Sequence, residues 1–462
     1  MAEFPFQLSI KFASGEIETL TCTALFRAIP GRREVYDALW QGRAVIVKVF
    51  LHSISAKRHL KREWRGLKLL QQRGLNSPET LFFGKTEDGQ WALVMEKIAN
   101  SLTTLEVLGK TTEKNKRLEI MVLICKELAK QHSGGVLQKD LNLGNFLMDG
   151  NKVFALDAGQ MKFSSHQVTK SKGISQLASL ALCLMKDNNE FLSKLCDEYL
   201  RARCWNLKKS DEILLHKQLL IHQKRVIRKE LKKCLRTSKR YLRIKSGENV
   251  AVFDSDFCRN ADIHDFIKRM DSLMDKGQIL KNGDTCYVSR LTWNSRDIVI
   301  KRYNHKGVIH SLRHTIKKSR AYRGWLHAHR LGILNIATPK SLAYIENRKG
   351  LLVWKSYLIT EYMPGQKLYD VLRDGNVAPE ELLKMTHQIR KLLDELGRCR
   401  VSHGDLKQTN ILITDNGPVL TDLDGMKMHV LNWTCQLYRA KDRARLLRNW
   451  PQDITVNLQD IF

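Results

Sequence analysis

Apolar positions along the chain fall into a few recurring patterns. AVIVKVF, around Lys48, and DIVIKRY, around Lys301, are apolar runs of strand length, each interrupted by a lysine. Leu60, Trp64, Leu67 and Leu70 recur at helical spacing and predict an amphipathic helix with one buried face. At about 100° per residue, Glu63 falls inside that apolar arc. A carboxylate there needs a cationic partner, because burying it alone is costly. ILITDNGPVLTD, ending at Asp422, reads as a hairpin turning at Asp415-Asn416-Gly417. Between Leu207 and Lys245 the chain is dense in Lys and Arg, with an apolar stripe of Leu214, Leu215, Leu219, Ile221 and Val226. This segment is either a solvated helix closing a domain or a basic helix lying on an anionic membrane surface.

The patterns occur twice. Gln138 to Met161 aligns without gaps on His403 to Met426, matching Asp140 with Asp405, Asn145 with Asn410 and Asp157 with Asp422 at a constant offset of 265. Trp64 stands 14 residues before Pro78, and Trp325 stands 14 before Pro339. Shared spacing in separate blocks predicts two homologous domains, residues 1–237 and 238–462.

Composition narrows the class. The chain has 462 residues, 43% of them hydrophobic, enough for packed cores and too many for intrinsic disorder. Its 78 Lys and Arg against 48 Asp and Glu leave a net charge of +30, which calls for an anionic partner: nucleic acid, acidic lipid or a phosphorylated substrate. Recognisable nucleic-acid motifs are lacking, so no nucleic acid is expected. The ten cysteines form no C-x-x-C pair. Neither a signal peptide nor an apolar stretch of about 18 residues is found, so a cytoplasmic, peripherally membrane-attached protein is expected.

The chemistry lies in the aligned blocks. Asp405, with Asn410 five residues later and Asp422 after the hairpin, is a set suited to phosphoryl transfer. Asp405 orients or deprotonates an attacking hydroxyl, Asn410 and Asp422 offer hard oxygens to Mg²⁺, and Lys301 neutralises the phosphates of ATP. The first block carries the same parts in Asp140, Asn145, Asp157 and Lys48, and adds Glu63 as the partner of Lys48. These are the parts of a protein-kinase-like fold. The expected class is therefore α+β: tandem kinase-like domains, each with a small β-rich lobe and a mostly helical lobe. Gly324 stands where Glu63 would be in the second domain. No acid occurs between Asp297 and Glu346, while Arg313, Lys317, Lys318, Arg320, Arg323 and Arg330 do. That basic stretch either receives an anionic substrate or is simply solvated. No G-x-G-x-x-G loop is present; Arg32 and Arg33, and Asn282 to Thr285, are the candidate phosphate-covering turns.

The sequence resembles bacterial lipopolysaccharide core sugar kinases, the Kdo/heptose kinase (WaaP-like) family. The likeness rests on the turn from Pro30 to Glu34, W-Q-G-R-A-V-I-V-K at Trp40 to Lys48, and R-E-W at Arg62 to Trp64. The second half adds Trp325 to Ile333 and K-D-R-A-R-L-L-R at Lys441 to Arg448. The resemblance implies ATP-dependent phosphorylation of sugar hydroxyls on the lipopolysaccharide inner core, at the cytoplasmic face of the inner membrane. The glycolipid substrate and the anionic bilayer would then account for the charge. Gln138-Lys139 departs from the His-Arg or His-Gly usual before the catalytic Asp, which weakens support of that loop. Two rival readings remain: a Ser/Thr protein kinase, suggested by Lys407, and one active domain paired with a non-catalytic scaffold.

Overall fold

The computed structural model describes residues 3–51, 54–182, 189–259, 262–304, 318–350, 352–374 and 377–448. The chain is mixed α and β and divides into two compact units, Met1–Gln223 and Lys224–Phe462. The division falls inside the Lys209–Lys233 helix, earlier than residue 237. The physical reason is packing: Leu231, Cys234 and Leu235 belong to a core built with Tyr241, Val252, Trp325 and Tyr344. Beyond the helix, the basic stretch continues as the strand Tyr241–Ser246. Arg313 and Lys317 lie outside the described residues.

In the first unit six antiparallel strands close into a barrel. Their order is Phe6–Lys11, Ile17–Ile29, Arg33–Trp40, Arg43–Phe50, Trp91–Glu96 and Thr80–Thr86, the last returning to the first through Ile10 opposite Thr86. Period-two alternation decides where Lys48 goes. Val45, Val47 and Val49 fill the barrel with Ile10, Leu20 and Val94, whereas Ile46 and Phe50 pack against the Ala56–Gln72 helix. Lys48 is on their side. The predicted apolar face of that helix is buried as read, Leu60, Leu67 and Leu70 being almost fully enclosed. Helices Lys114–Ser133, Lys170–Ala181 and Asn189–Ala202 build a separate core around Phe146, Leu128, Ile174 and Tyr199.

The second unit carries a seven-stranded antiparallel sheet in the order Tyr241–Ser246, Asn249–Asp254, Ser341–Lys349, Leu352–Glu361, Arg296–Tyr303, Cys286–Trp293, Gln278–Gly283. Ile298 and Ile300 pack under the short helices Ile263–Lys268 and Met270–Lys276, so Lys301 faces the opposite side. There the Arg320–Ile333 helix begins at Ser319, whose hydroxyl accepts from Tyr322 N at 3.0 Å. The two matched tryptophans diverge. Trp325 is fully buried and donates to the Cys234 carbonyl at 2.9 Å, whereas Trp64 is half-buried, edge-on to Phe83. The predicted hairpin forms with Thr414 opposite Gly417, so its turn is Asp415-Asn416. Its strands join the Pro379–Arg398 helix around Ile389, Leu393 and Leu420.

Candidate active sites

The first unit assembles its site where the helix nearly touches a loop. A Cβ on Gly66 would come within 2.6 Å of the Ala158 carbonyl, so only glycine permits that approach. The approach brings Glu63 to Lys48: the ammonium donates to Glu63 Oε1 at 2.7 Å and to Asp157 Oδ1 at 3.0 Å. The other Glu63 oxygen accepts from Gly159 N at 3.0 Å, and Arg62 donates to the Gly159 carbonyl. Burial pushes the Lys48 ammonium down, but Glu63 and Asp157 outweigh it and hold it above its ordinary value. Lys48, with Arg33 at 3.6 Å, draws the Asp157 carboxyl down to about 2. Arg33, one of the two expected covering residues of this unit, thus reaches the site.

The loops bearing Asp140 and Asp405 are held by a matching pattern in the two units. Asn145 Nδ2 donates to the Asp140 carbonyl at 2.7 Å, and Asn410 Nδ2 to that of Asp405 at 2.8 Å. The backbone carbonyls of the two asparagines accept from Leu156 N and Thr421 N, one residue before the aspartates. Asp157 and Asp422 both adopt left-handed backbone, at φ 54° and 56°, which non-glycine residues seldom occupy. Each amide nitrogen is spent on the loop, so the asparagine Oδ1 is left beside an aspartate as a donor. Two hard oxygens suit Mg²⁺, which shares its shell with phosphates and water. The donor set therefore fits the expected ion.

Lys301 lies 2.5 Å from Asp422 Oδ1. Burial pushes the Asp422 carboxyl up, but Lys301 and Arg320 pull it below its ordinary value. Lys301, Asn410 and Asp422 open onto one cavity of about 480 Å³, floored by Val288, Leu358 and Leu412. A cavity that combines apolar walls with charged and amide groups has the form of a small-molecule site. Lys281, beside the expected covering turn, also lines it.

Three contacts in these sites escaped the sequence reading. Arg320 pairs with Asp424, the position equivalent to Gly159, and lies over the Tyr303 ring at 4.7 Å. The helix–loop link is thus present in the second unit, carried there by a helix cation and a loop carboxylate instead of side chains on the Gly159 backbone. An arginine in a first helical turn opposes the helix dipole, and the nearly buried Asp424 compensates it. Adjacent to the Lys301 site, an arginine-only helix start was the available signal. Asp442 is buried and accepts from His403 N at 2.7 Å and Gly404 N at 3.0 Å. Gly404, at φ 83°, approaches Gly425 so closely that a Cβ would collide with its carbonyl. His403 donates from Nε2 to the Thr421 carbonyl at 2.9 Å.

The third missed contact is a buried amide chain replacing that histidine in the first unit. Gln138 donates to Gln131 at 2.8 Å, Gln131 donates to Glu127 at 3.1 Å, and Gln176 donates to the Gln138 carbonyl. The loop before Asp140 is therefore supported by amides. Burial pushes the Glu127 carboxyl up to about 7. A carboxyl raised in the fold costs nothing below its unfolded value near 4.5, and its cost grows until the pH passes about 7. Glu127→Gln should accordingly raise the unfolding temperature at pH 8, by an amount worth at most roughly 3 kcal/mol, and change little at pH 4.5. Scanning calorimetry at the two pH values checks it; equal shifts would mean that ionisation of Glu127 is not the cause.

Residues 266–459 match the lipopolysaccharide kinase (Kdo/WaaP) family. Over 64 residues the chain is 36% identical to a probable serine/threonine-protein kinase of Streptomyces coelicolor, a match covering 14% of this chain and 10% of that protein. The chain thus spans about a tenth of the length of that relative. Solved structures similar to it include the Mycobacterium tuberculosis PknI kinase domain, at 14% identity and a TM-score of 0.30, covering 45% of this chain and 97% of that one. A point mutant of the same domain is similar at 15% identity and a TM-score of 0.29, covering 43% of this chain and 95% of that one.

Proposed function

We propose, for a chain whose residues 266–459 match the lipopolysaccharide kinase (Kdo/WaaP) family, ATP-dependent transfer of phosphate to a heptose or Kdo hydroxyl of the lipopolysaccharide inner core. Two tandem kinase-like domains, at a cytoplasmic membrane surface, perform it. The observation that carries this reading is the repeated Lys–Asp contact beside an Asn-tethered catalytic loop. Asp140 is exposed and Asp405 half-buried at the loop edge, where an acceptor hydroxyl has room to approach. Each would orient that hydroxyl and take its proton as the oxygen attacks the γ-phosphorus and the bond to the β–γ bridging oxygen breaks, releasing ADP. Lys301 and Lys48 neutralise phosphate oxygens. Asn410 with Asp422, and Asn145 with Asp157, would hold Mg²⁺, which supplies further charge neutralisation. Among the described residues no helix is long and apolar enough to cross a membrane.

Mass spectrometry of lipopolysaccharide core from cells with and without the protein tests the proposal; unchanged phosphate content would refute it. The Lys407 ammonium, 2.9 Å from Asp405, favours a protein-kinase reading as the second choice. Transfer to a model peptide but not to core oligosaccharide would select it. A metal prediction follows from the two-oxygen donor sets. ATP affinity should fall sharply without Mg²⁺, and Asp157→Ala combined with Asp422→Ala should abolish that dependence. Calorimetric titration decides; wild-type behaviour of the double variant would remove both aspartates from the metal sites.

A further inference from the structure

The second unit has another concave site, away from the residues assigned to phosphotransfer. A groove of about 370 Å³ is walled by Ile227, Leu231, Leu235, Leu326, Met428 and Val430. Its rim is cationic. Lys224, Arg228 and Lys232 follow one another four residues apart, on one face of the helix, and Arg330 enters from a second helix. None of these four cations has a carboxylate partner among the described residues. Glu230, the acid within residues 224–233, is engaged by Lys233 at 2.7 Å. Arg330 is the more telling case. It is half-buried, its Nη1 donates to His327 Nδ1 at 2.8 Å, and its buried Nε has no hydrogen-bond partner. A desolvated guanidinium with an unspent N–H is costly unless an acceptor arrives.

Apolar surface continues out of the groove. Val430 is 75% exposed, and Leu431, Trp433 and Leu437 are exposed after it. Lys427 and Lys441 lie 4.4 and 5.5 Å from the intervening Tyr438 ring. Large apolar side chains, an exposed tryptophan and unpaired cations side by side match the physical layers of a lipid–water interface.

We infer that this groove binds an anionic phospholipid, its phosphate on Arg330 and Arg228 and part of one acyl chain along Leu231, Leu326 and Val430. The exposed edge from Val430 to Leu437 then rests on the bilayer. The inference rests on the membrane-surface part of the function proposed above, but does not depend on phosphotransfer.

Flotation of the full chain with vesicles tests it. Phosphatidylglycerol-containing vesicles should bind at least about tenfold more tightly than pure phosphatidylcholine ones, and Arg228→Glu with Lys232→Glu should remove most of that gain. Lys384→Glu with Lys391→Glu, the same charge change at exposed positions of the Pro379–Arg398 helix, should retain it. Val430→Asp should weaken binding even at high salt, where plain electrostatic attraction is screened. Equal losses in both charge-reversal variants would overturn the inference in favour of diffuse attraction. Complete displacement from vesicles by millimolar inorganic phosphate would instead make the groove a free-phosphate site and also overturn it. Phosphorylation of soluble core oligosaccharide, assayed without vesicles, should be unchanged in the Arg228/Lys232 variant. A failure of lipid binding is thereby separated from a failure of the kinase reading.

Discussion

Asp405→Asn should lower phosphoryl transfer by roughly 10²–10⁴-fold while leaving nucleotide affinity nearly intact. The loop should survive the change, because Asn410 holds Asp405 through its backbone carbonyl and Asp442 holds His403 and Gly404 through their amides. What is lost is the carboxylate as hydroxyl acceptor, since an amide cannot take up a proton at neutral pH. The Lys407 contact at 2.9 Å is with that same carboxylate and loses its ionic character with the charge. Asp140→Asn is the parallel change in the first unit, where Asn145 provides the equivalent tether. Steady-state rates of the two single variants and the double variant assign activity between the units. Full activity in the double variant would overturn the catalytic assignment of both aspartates.

The second large effect concerns the helix–loop links. Glu63→Gln should raise the Michaelis constant for ATP in the first unit, because Lys48 keeps Asp157 alone as its anionic partner. Both members of the Lys48–Glu63 pair are buried, so the loss could reach about 3 kcal/mol, including the cost of leaving Lys48 undercompensated. Asp157 caps the damage. In the second unit the corresponding break is Arg320→Gln, and Arg320 is exposed enough for water to screen part of the effect. A loss of roughly three- to tenfold in kcat/KM is expected there. Exchanging the pair, Arg320→Asp with Asp424→Arg, should recover part of what either single change removes. No recovery would mean that Arg320 acts on the nucleotide and not through Asp424. Gly324→Glu should be neutral or mildly harmful. The new Cβ lies 2.8 Å from the Leu358 side chain, which must move, and Arg320–Asp424 already supplies the link.

Lys48, Glu63 and their contact were legible because periodicity is local. A lysine in an apolar strand and a carboxylate inside an apolar helical arc each need a partner, and few candidates were at hand. The asparagine tethers were legible as spacing, although not as hydrogen bonds. Two amides and a carboxylate beneath Asp140 were harder to anticipate. Gln131 and Glu127 come from the Lys114–Ser133 helix and Gln176 from the Lys170–Ala181 helix, and only packing brings them to Gln138.

The sequence alone determined the repeated Lys, Asp–Asn and Asp spacing, the strands bearing Lys48 and Lys301, the buried face of the Leu60–Leu70 helix and the hairpin before Asp422. Each depends on neighbours within one turn, one pleat or a fixed repeat. Tertiary structure decided the partners. Charge pairing has no characteristic spacing along the chain: Arg320 and Asp424 are 104 residues apart, and Arg330 has no carboxylate partner among the described residues despite the acids elsewhere in the chain. Trp64 and Trp325 occupy matched positions, yet only Trp325 is sealed, because Cys234 and its neighbours fold over it. Burial and ion pairing are settled by whichever segment arrives from a distance.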